Sequence, residues 1–295
     1  MKHLPSRGEK QTMKVIRSIK AMSGFSSEAA AGGRKTGFVP TMGALHAGHV
    51  SLIRKARRDN DAVVVSVFIN PLQFGPSEDF RRYPRDHASD AGICRAEGVD
   101  VLFCPSAQEM YGPGFRTFVE VEGMSAVLCG RSRPGHFRGV ATVVLKLFNI
   151  VSPRTAYFGA KDAQQAAIIK RMTADLNLPV RIEVLPIVRG PGGLALSSRN
   201  AYLGDNQKEQ ALCLFRSLRE AARLVEAGER RSYRIKESMR RIISGCPQAE
   251  TDYIEIVDPR TMETLKSIGG GKCLVALAVR VGGIRLIDNV TLDVK

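Results

Sequence analysis

Short, nearly continuous apolar runs alternate with stretches whose apolar residues recur every three or four positions. Residues 37–41 and 62–70 read as buried strands, because a strand covered on both faces loses the two-residue alternation. Residues 49–58, between them, carry a helical repeat. A further helix is predicted over 88–97 and a strand over 99–105. Then come an apolar helix over 140–151, a short strand over 155–158, a helix over 163–176 and a strand over 180–188. Strands alternating with helices predict an α/β unit, a parallel sheet covered on both faces.

The pattern changes after Leu203. Asn206 and Glu209 have the spacing of a capping box, ahead of a long amphipathic helix running to about residue 227. A second helix is expected near 233–243. Strands follow at 253–257, 274–281 and 284–287, the last two joined by Gly282-Gly283, a hairpin signal. This reads as a smaller α+β domain with its boundary near 189–200, which divides the chain into 1–188 and 189–295. No internal repeat or low-complexity segment is found.

Composition narrows the picture. The chain has 295 residues, 44% of them apolar, enough for one large domain or two smaller ones. No apolar run approaches the roughly 18 residues of a membrane span. Residues 1–20 are basic with one acid, Glu9, and lack the apolar core of a secretory signal; they read as a short disordered extension rather than a mitochondrial transit segment. The six cysteines, Cys94, Cys104, Cys129, Cys213, Cys246 and Cys273, lack metal-knuckle spacing. They read as reduced and mostly buried, which fits a cytoplasmic protein. The net charge of +15 is spread along the chain, aromatics are 6% and Trp is absent. That argues against nucleic-acid binding as the main function. It leaves steering of anionic substrates, or simply a solvated basic surface.

Two segments carry candidate chemistry. The first is Val39-Pro40-Thr41-Met42-Gly43-Ala44-Leu45-His46-Ala47-Gly48-His49-Val50. It is a strand running into a helix start, where unpaired N–H groups and a positive dipole end favour phosphate. Gly43 and Gly48 allow close backbone approach. His46 and His49, three apart on a helical turn, face the same way and can donate to phosphate oxygens as charge builds. Metal ligation and a merely structural role are the alternatives for this pair, although no partner of the H-E-x-x-H kind is present. The second segment, Leu194-Ala195-Leu196-Ser197-Ser198-Arg199-Asn200, is a loop able to close over the same phosphates. Together they suggest an enzyme that uses ATP to activate a carboxylate or to transfer a nucleotidyl group. Gly269-Gly270-Gly271-Lys272 lacks the first glycine and the Ser or Thr of a P-loop, and is read as a turn before a strand. Gly190-Pro191-Gly192-Gly193-Leu194-Ala195 follows a strand, but no helical pattern follows it, so a dinucleotide fingerprint is discounted.

From about residue 13 onward the chain resembles the pantothenate synthetase (pantoate–β-alanine ligase) family. The resemblance rests on Phe38-Val39-Pro40-Thr41-Met42-Gly43-Ala44-Leu45-His46-x-Gly48-His49, Val67-Phe68-Ile69-Asn70-Pro71-Leu72-Gln73-Phe74, Tyr83-Pro84-Arg85, Arg133-Pro134-Gly135-His136-Phe137-Arg138-Gly139-Val140, Phe158-Gly159-x-Lys161-Asp162-x-Gln164-Gln165 and Ser197-Ser198-Arg199-Asn200. It implies a Rossmann-like nucleotide-binding domain, a smaller C-terminal domain closing over it, and a homodimer. It also implies two chemical steps. Pantoate attacks the α-phosphate of ATP to give pantoyl adenylate and pyrophosphate; β-alanine then attacks the acyl carbon and releases AMP. The ATP site would comprise Met42, Gly43, Ala44, Leu45, His46, Ala47, Gly48 and His49, then Gly159, Ala160, Lys161 and Asp162, then Val188 through its backbone, and Leu196, Ser197, Ser198 and Arg199. His46, His49, Lys161 and Arg199 would act on the phosphates, with Asp162 on ribose. Gln73 and Gln165 would hold pantoate, with Asn70 shaping that pocket and Arg133 and His136 beside it. Mg²⁺ would arrive with ATP, and Asp90 is the candidate protein ligand.

Some positions depart from the family pattern. Cys129 stands where the family usually has Glu before the Arg-Pro-Gly-His stretch, which leaves the local charge balance in doubt. The Gly190–Gly193 loop replaces acidic residues, so it is expected to be more positive and more flexible, and Leu196 replaces Met, a near-isosteric change. The rival readings are a nucleotidyltransferase on the same core, a nucleic-acid binder with a relict nucleotide site, and a catalytically weak homologue. The pair of glutamines favours a small hydroxy acid over the first.

Overall fold

The structure, a computed structural model, describes residues 12–76 and 78–294. In chain order the first part contains β1 (Lys14–Ile16), α1 (Ile19–Ala31), β2 (Thr36–Thr41), α2 (Ala47–Asp59), β3 (Ala62–Val67), α3 (His87–Ala96), β4 (Val101–Phe103), the single turns α4 (Ala107–Met110) and α5 (Cys129–Ser132), α6 (His136–Val151), β5 (Thr155–Gly159), α7 (Ala163–Asp175) and β6 (Arg181–Leu185). The six strands pair in parallel in the order β1-β4-β3-β2-β5-β6. Every residue of β3, Ala-Val-Val-Val-Ser-Val, is buried, as a strand covered on both faces requires. This is the expected Rossmann-like α/β sheet. From β2 the chain winds outward through β3 and β4; β5 lies on the other side of β2. The order therefore reverses between β2 and β5, and a crevice opens beyond their C-terminal ends, where open α/β sheets bind ligands. The turns leaving these two strands carry His46 and Lys161.

The second part contains α8 (Asp205–Glu226), α9 (Ser232–Ser244), β7 (Ala249–Val257), β8 (Gly271–Val281) and β9 (Ile284–Val294). The strands form an antiparallel meander. Ile235, Met239 and Ile243, four apart on α9, are all buried, each contributing roughly 1.5–3 kcal/mol by leaving water. The two-residue period of β8 serves two cores. Cys273, Val275, Leu277 and Val279 pack with α8 and α9, while Leu274 and Ala276 join the apolar cluster of the first part. The small sheet thus lies between its own helices and the first part of the chain.

Three local expectations are corrected. Within residues 1–20, expected to be a disordered extension, Lys14–Ile16 is an edge strand on β4, and α1 starts at Ile19 with Ser18 as its cap; residues 1–11 lie outside the described residues. Neither segment has a long apolar run, because an edge strand and a surface helix each bury little. The Asn206–Glu209 capping box gives way to half of one two residues earlier: the Gly204 N–H donates to Gln207 Oε1 at 3.0 Å, glycine has no side chain to return the bond, and the helix starts at Asp205. The predicted strands over 62–70 and 180–188 end at Val67 and Leu185, where the chain turns into the cleft. Five of the six cysteines are buried and all six are free thiols. No helix among the described residues is long and apolar enough to cross a membrane.

Candidate active site

A cavity of about 220 Å³ opens where β2 and β5 end. Its lining includes Met42, His46, His49, Gln73, Val188 and Arg199. A larger one, about 440 Å³, adjoins it at the seam with the C-terminal part; both are lined by Lys161, Asp162 and Gln165.

The histidine turn is held by bonds made largely within itself. Thr41 Oγ1 donates to the Ser66 carbonyl at 2.7 Å and accepts the Gly43 N–H at 3.1 Å. Gly43 and Ala44 both have positive φ, 84° and 51°, a conformation that strains Ala44. Asp90 offsets the strain by accepting the N–H of Ala44 at 3.1 Å and of Leu45 at 2.8 Å. His46 caps α2: its Nδ1 accepts the Gly48 N–H at 3.1 Å, and His49 Nδ1 accepts the His46 N–H at 3.3 Å. Gly48 is needed because a Cβ there would lie 2.8 Å from the His46 ring. With both Nδ1 atoms accepting, each neutral imidazole carries its proton on Nε2. Burial holds the His46 pKa down, helped by the nearby Lys161 charge. Burial, then the neighbouring His46, pushes His49 down to about 3. The pair, with ring centroids 4.2 Å apart, therefore offers two neutral N–H donors at neutral pH.

Beside it lies an amide cluster. Asn70 Nδ2 donates to the Gly139 carbonyl at 3.0 Å and to Gln73 Oε1 at 3.2 Å, while Asn70 Oδ1 accepts from the Tyr111 hydroxyl at 2.7 Å. Asn70 is fully engaged, and it fixes Gln73 so that Nε2 meets only the Met42 sulfur, at 2.9 Å. A thioether is a weak acceptor, so this donor is available to an oxygen of a substrate. Gly139 makes the packing possible, since a Cβ there would collide with the Leu72 carbonyl oxygen. Behind Gln73, its backbone carbonyl lies 2.8 Å from His136 Nδ1, and Arg133 lies 3.0 Å from His136 Nε2. Burial first, then the Arg133 charge, lowers the His136 pKa to about 4. Arg133 in turn pairs with Glu78 at 2.5 Å. Burial would raise Glu78, but the Arg133 hydrogen bond and charge outweigh it and the pKa falls. Gln165 reaches the cleft, whereas the adjacent Gln164 turns inward, donating to the carbonyls of Met124 and Val127.

The remaining cleft residues come from two loops. Lys161 lies 3.5 Å from Asp162 on the 3₁₀ turn after β5, Ala160–Asp162, which follows Gly159. From 189 to 199 the chain doubles back: Arg189 bridges to Ala195, and the Leu196 N–H donates to the Val188 carbonyl at 3.0 Å. Expected to be flexible, the Gly190–Gly193 stretch is instead packed on α8. Gly192 and Gly193 have positive φ, and a Cβ on Gly193 would collide with the Phe215 ring. Ser197 Oγ accepts the Arg199 N–H, Ser198 meets the Tyr83 hydroxyl at 3.0 Å, and Arg199 grips Asp79 through two bonds of 2.8 and 2.9 Å. Arg199, expected on phosphate, is thus held at the cleft by a carboxylate.

Asp90, expected at the magnesium, is turned to another use. It is buried, with both carboxylate oxygens bonded to the backbone of the histidine turn, and burial raises its pKa. Among the described residues no group of three His, Cys, Asp or Glu side chains is placed to hold a metal. The charge balance left in doubt at Cys129 is restored locally. Arg285, 3.5 Å from the Cys129 sulfur, pairs with Asp252 at 2.8 Å. Asp79, Tyr83, Glu78, Asp288 and Asn289 were not singled out from the sequence. Of these, Tyr83 lies in one of the family motifs; the others have no local signal, since their partners lie tens of residues away.

The chain is similar to known proteins over nearly its whole length. The family model for pantoate-beta-alanine ligase matches residues 14–291. The chain is 55% identical over 282 residues to the pantothenate synthetase of Heliobacterium modesticaldum, covering 96% of this chain and 100% of that protein. With the pantothenate synthetase of Thermotoga petrophila the identity is 53% over 280 residues, 95% and 100% of the two chains. Among solved structures, pantothenate synthetase from Thermus thermophilus superposes with a TM-score of 0.88 at 43% identity, covering 94% of this chain and 99% of that one. Pantoate-beta-alanine ligase from Francisella tularensis, complexed with beta-gamma ATP and beta-alanine, gives 0.79 at 36% identity, covering 95% and 97%.

Proposed function

The chain belongs to the pantoate-beta-alanine ligase family, and on that premise we propose that it joins pantoate to β-alanine at the expense of ATP, through pantoyl adenylate, giving pantothenate, AMP and pyrophosphate. The observation that carries the reading is the neutral, Nε2-protonated histidine pair beside a glutamine donor with no strong partner. One group suits phosphate oxygens; the other suits a small hydroxy acid.

The pantoate carboxylate is held at Gln73 and Gln165, within attacking distance of the α-phosphate. His46 and His49 donate Nε2–H as negative charge builds on the phosphate oxygens, and Lys161 and Arg199 oppose the charge on departing pyrophosphate. Neutral imidazoles suit this task, because their hydrogen bonds strengthen in the transition state more than in the ground state. Asp162 takes the ribose and Val188 the adenine side. Asn70, Arg133 and His136 act through Gln73, orienting its side chain and backbone. The adenylate then meets the amine of β-alanine, whose attack forms the amide and expels AMP. Magnesium enters as part of the nucleotide substrate, held by phosphates and water; Asp90 is not a fit for it. Residues 1–188 and 189–295 are taken as the two domains, and two copies as the working cytoplasmic unit.

Incubation with Mg·ATP, pantoate and β-alanine is expected to yield AMP and pantothenate in equal amounts, and neither when pantoate is omitted. AMP without pantothenate, or no nucleotide turnover by folded protein, would contradict the proposal.

A further inference from the structure

We infer that Asn289, in the C-terminal part of the chain, is a positioning residue for the ATP half of the reaction; this rests on the ligase reading. Asn289 lies on β9, opposite Ala276 of β8, and is buried. Its Nδ2 donates to two successive carbonyls, Ala160 and Lys161, each at 2.9 Å. Both donors of one amide are therefore spent on the turn that presents Lys161 and Asp162 to the cleft. That turn has little support of its own: neither it nor the start of α7 has a side-chain cap. Without Asn289 two part-buried carbonyls each lose a hydrogen bond, and buried or part-buried backbone groups are seldom left short of partners.

The neighbouring residue does the matching task on the other face of the strand, as the two-residue period dictates. Asp288, also buried, takes Arg189 through bonds of 2.7 and 3.0 Å, and Arg189 donates to the Gly193 carbonyl at 2.8 Å. One dipeptide of the C-terminal sheet thus holds both loops on either side of the nucleotide cleft. Closure of this domain must pivot at Asn289 or break its two bonds. The C-terminal sheet is then part of the nucleotide site as well as a cover for it.

The test compares the wild type with Asn289→Asp, which keeps size but loses both donors, and Asn289→Gln, which keeps them. Mg·ATP binding by equilibrium dialysis and the three KM values are measured with melting temperature. Asn289→Asp is expected to weaken ATP binding and raise KM for ATP by about tenfold or more, the worth of two neutral hydrogen bonds. KM for β-alanine stays within about twofold, and Asn289→Gln recovers part of the ATP affinity. Equal rises in all three KM values that follow the loss of melting temperature, or unchanged ATP binding by Asn289→Asp, would overturn the assignment. If the wild type binds ATP but makes no pantothenate, the ligase reading fails, and the ATP-binding ratio still decides the role of Asn289.

Discussion

The turn from Met42 to His49 and the loop from Gly190 to Arg199 line the same cleft, yet they are ordered in different ways. The histidine turn is held largely by bonds within nine residues, Thr41 to Gly43, His46 to Gly48 and His49 to His46, to which Ser66, Gln73 and Asp90 add bonds from farther along the chain. The serine–arginine loop takes its order from residues far away in the chain: Asp79 and Tyr83 on one side, Phe215 and Asp288 on the other. The first is a rigid donor array formed before substrate arrives, as electrostatic stabilisation of a transition state requires. The second, on the proposed reading, is a clasp that exchanges protein partners for substrate ones. Arg199 is the clearest instance. On Asp79 it is neutralised; to oppose a phosphate it must share or leave that carboxylate.

Substitutions can break this contrast. The largest effect is expected for His49→Ala, which removes one donor from the preformed array and should lower kcat by about 10²–10³-fold with little change in KM; steady-state kinetics beside circular dichroism on a folded variant checks it. His46→Ala should resemble it, with about 1 kcal/mol of stability lost as well because His46 is also the cap of α2. Next comes Gly193→Ala, where a methyl meets the Phe215 ring at positive φ; destabilisation of about 2–3 kcal/mol is expected in urea titrations. Pairing it with Phe215→Leu should relieve part of that cost, since the two sites share one contact.

Asp79→Asn sharpens the contrast. It weakens the clasp on Arg199, a partly exposed pair whose loss should cost about 1 kcal/mol or less. If the clasp must open for substrate, KM for ATP should fall rather than rise. The smallest effect concerns pH. His49 and His136 are pushed down to about 3 and about 4 in the fold, from an ordinary value of 6.5. Below 6.5 the unfolded chain therefore binds protons that the folded chain refuses. The stability associated with these neutral rings is complete above that pH and is lost as pH falls toward the folded values. Between about pH 7.5 and about pH 6 each ring should cost about 0.8 kcal/mol. Comparing denaturation of the wild type and His136→Asn at both pH values reads the difference.

The same contrast governs what the sequence revealed. The parallel sheet was legible because β2, β3 and β5 are short apolar runs between helical repeats, and the histidine turn because its glycines, histidines and preceding strand lie together. Asp90, expected at magnesium, instead accepts the N–H groups of Ala44 and Leu45, more than forty residues away, and nothing local in the sequence distinguishes a carboxylate that braces a turn from one that holds a cation. The glycines at 190–193 suggested freedom, whereas two of them serve close packing against Leu212 and Phe215, a fact only the tertiary structure supplies. Gln164 and Gln165 are identical in type; the helical rotation between adjacent residues sends one inward and the other to the cleft. Asn289 gave no signal, because its donors meet backbone carbonyls, which are the same whatever residue bears them.

The central claim is that the histidine turn carries out adenylation of pantoate. Pantoate-dependent exchange of labelled pyrophosphate into ATP, without β-alanine, tests it directly in the wild type and in His49→Ala. The account predicts exchange by the wild type only when pantoate is present, and a loss of about 10²-fold or more in the variant. Exchange that proceeds without pantoate, or at an undiminished rate in His49→Ala, would contradict it.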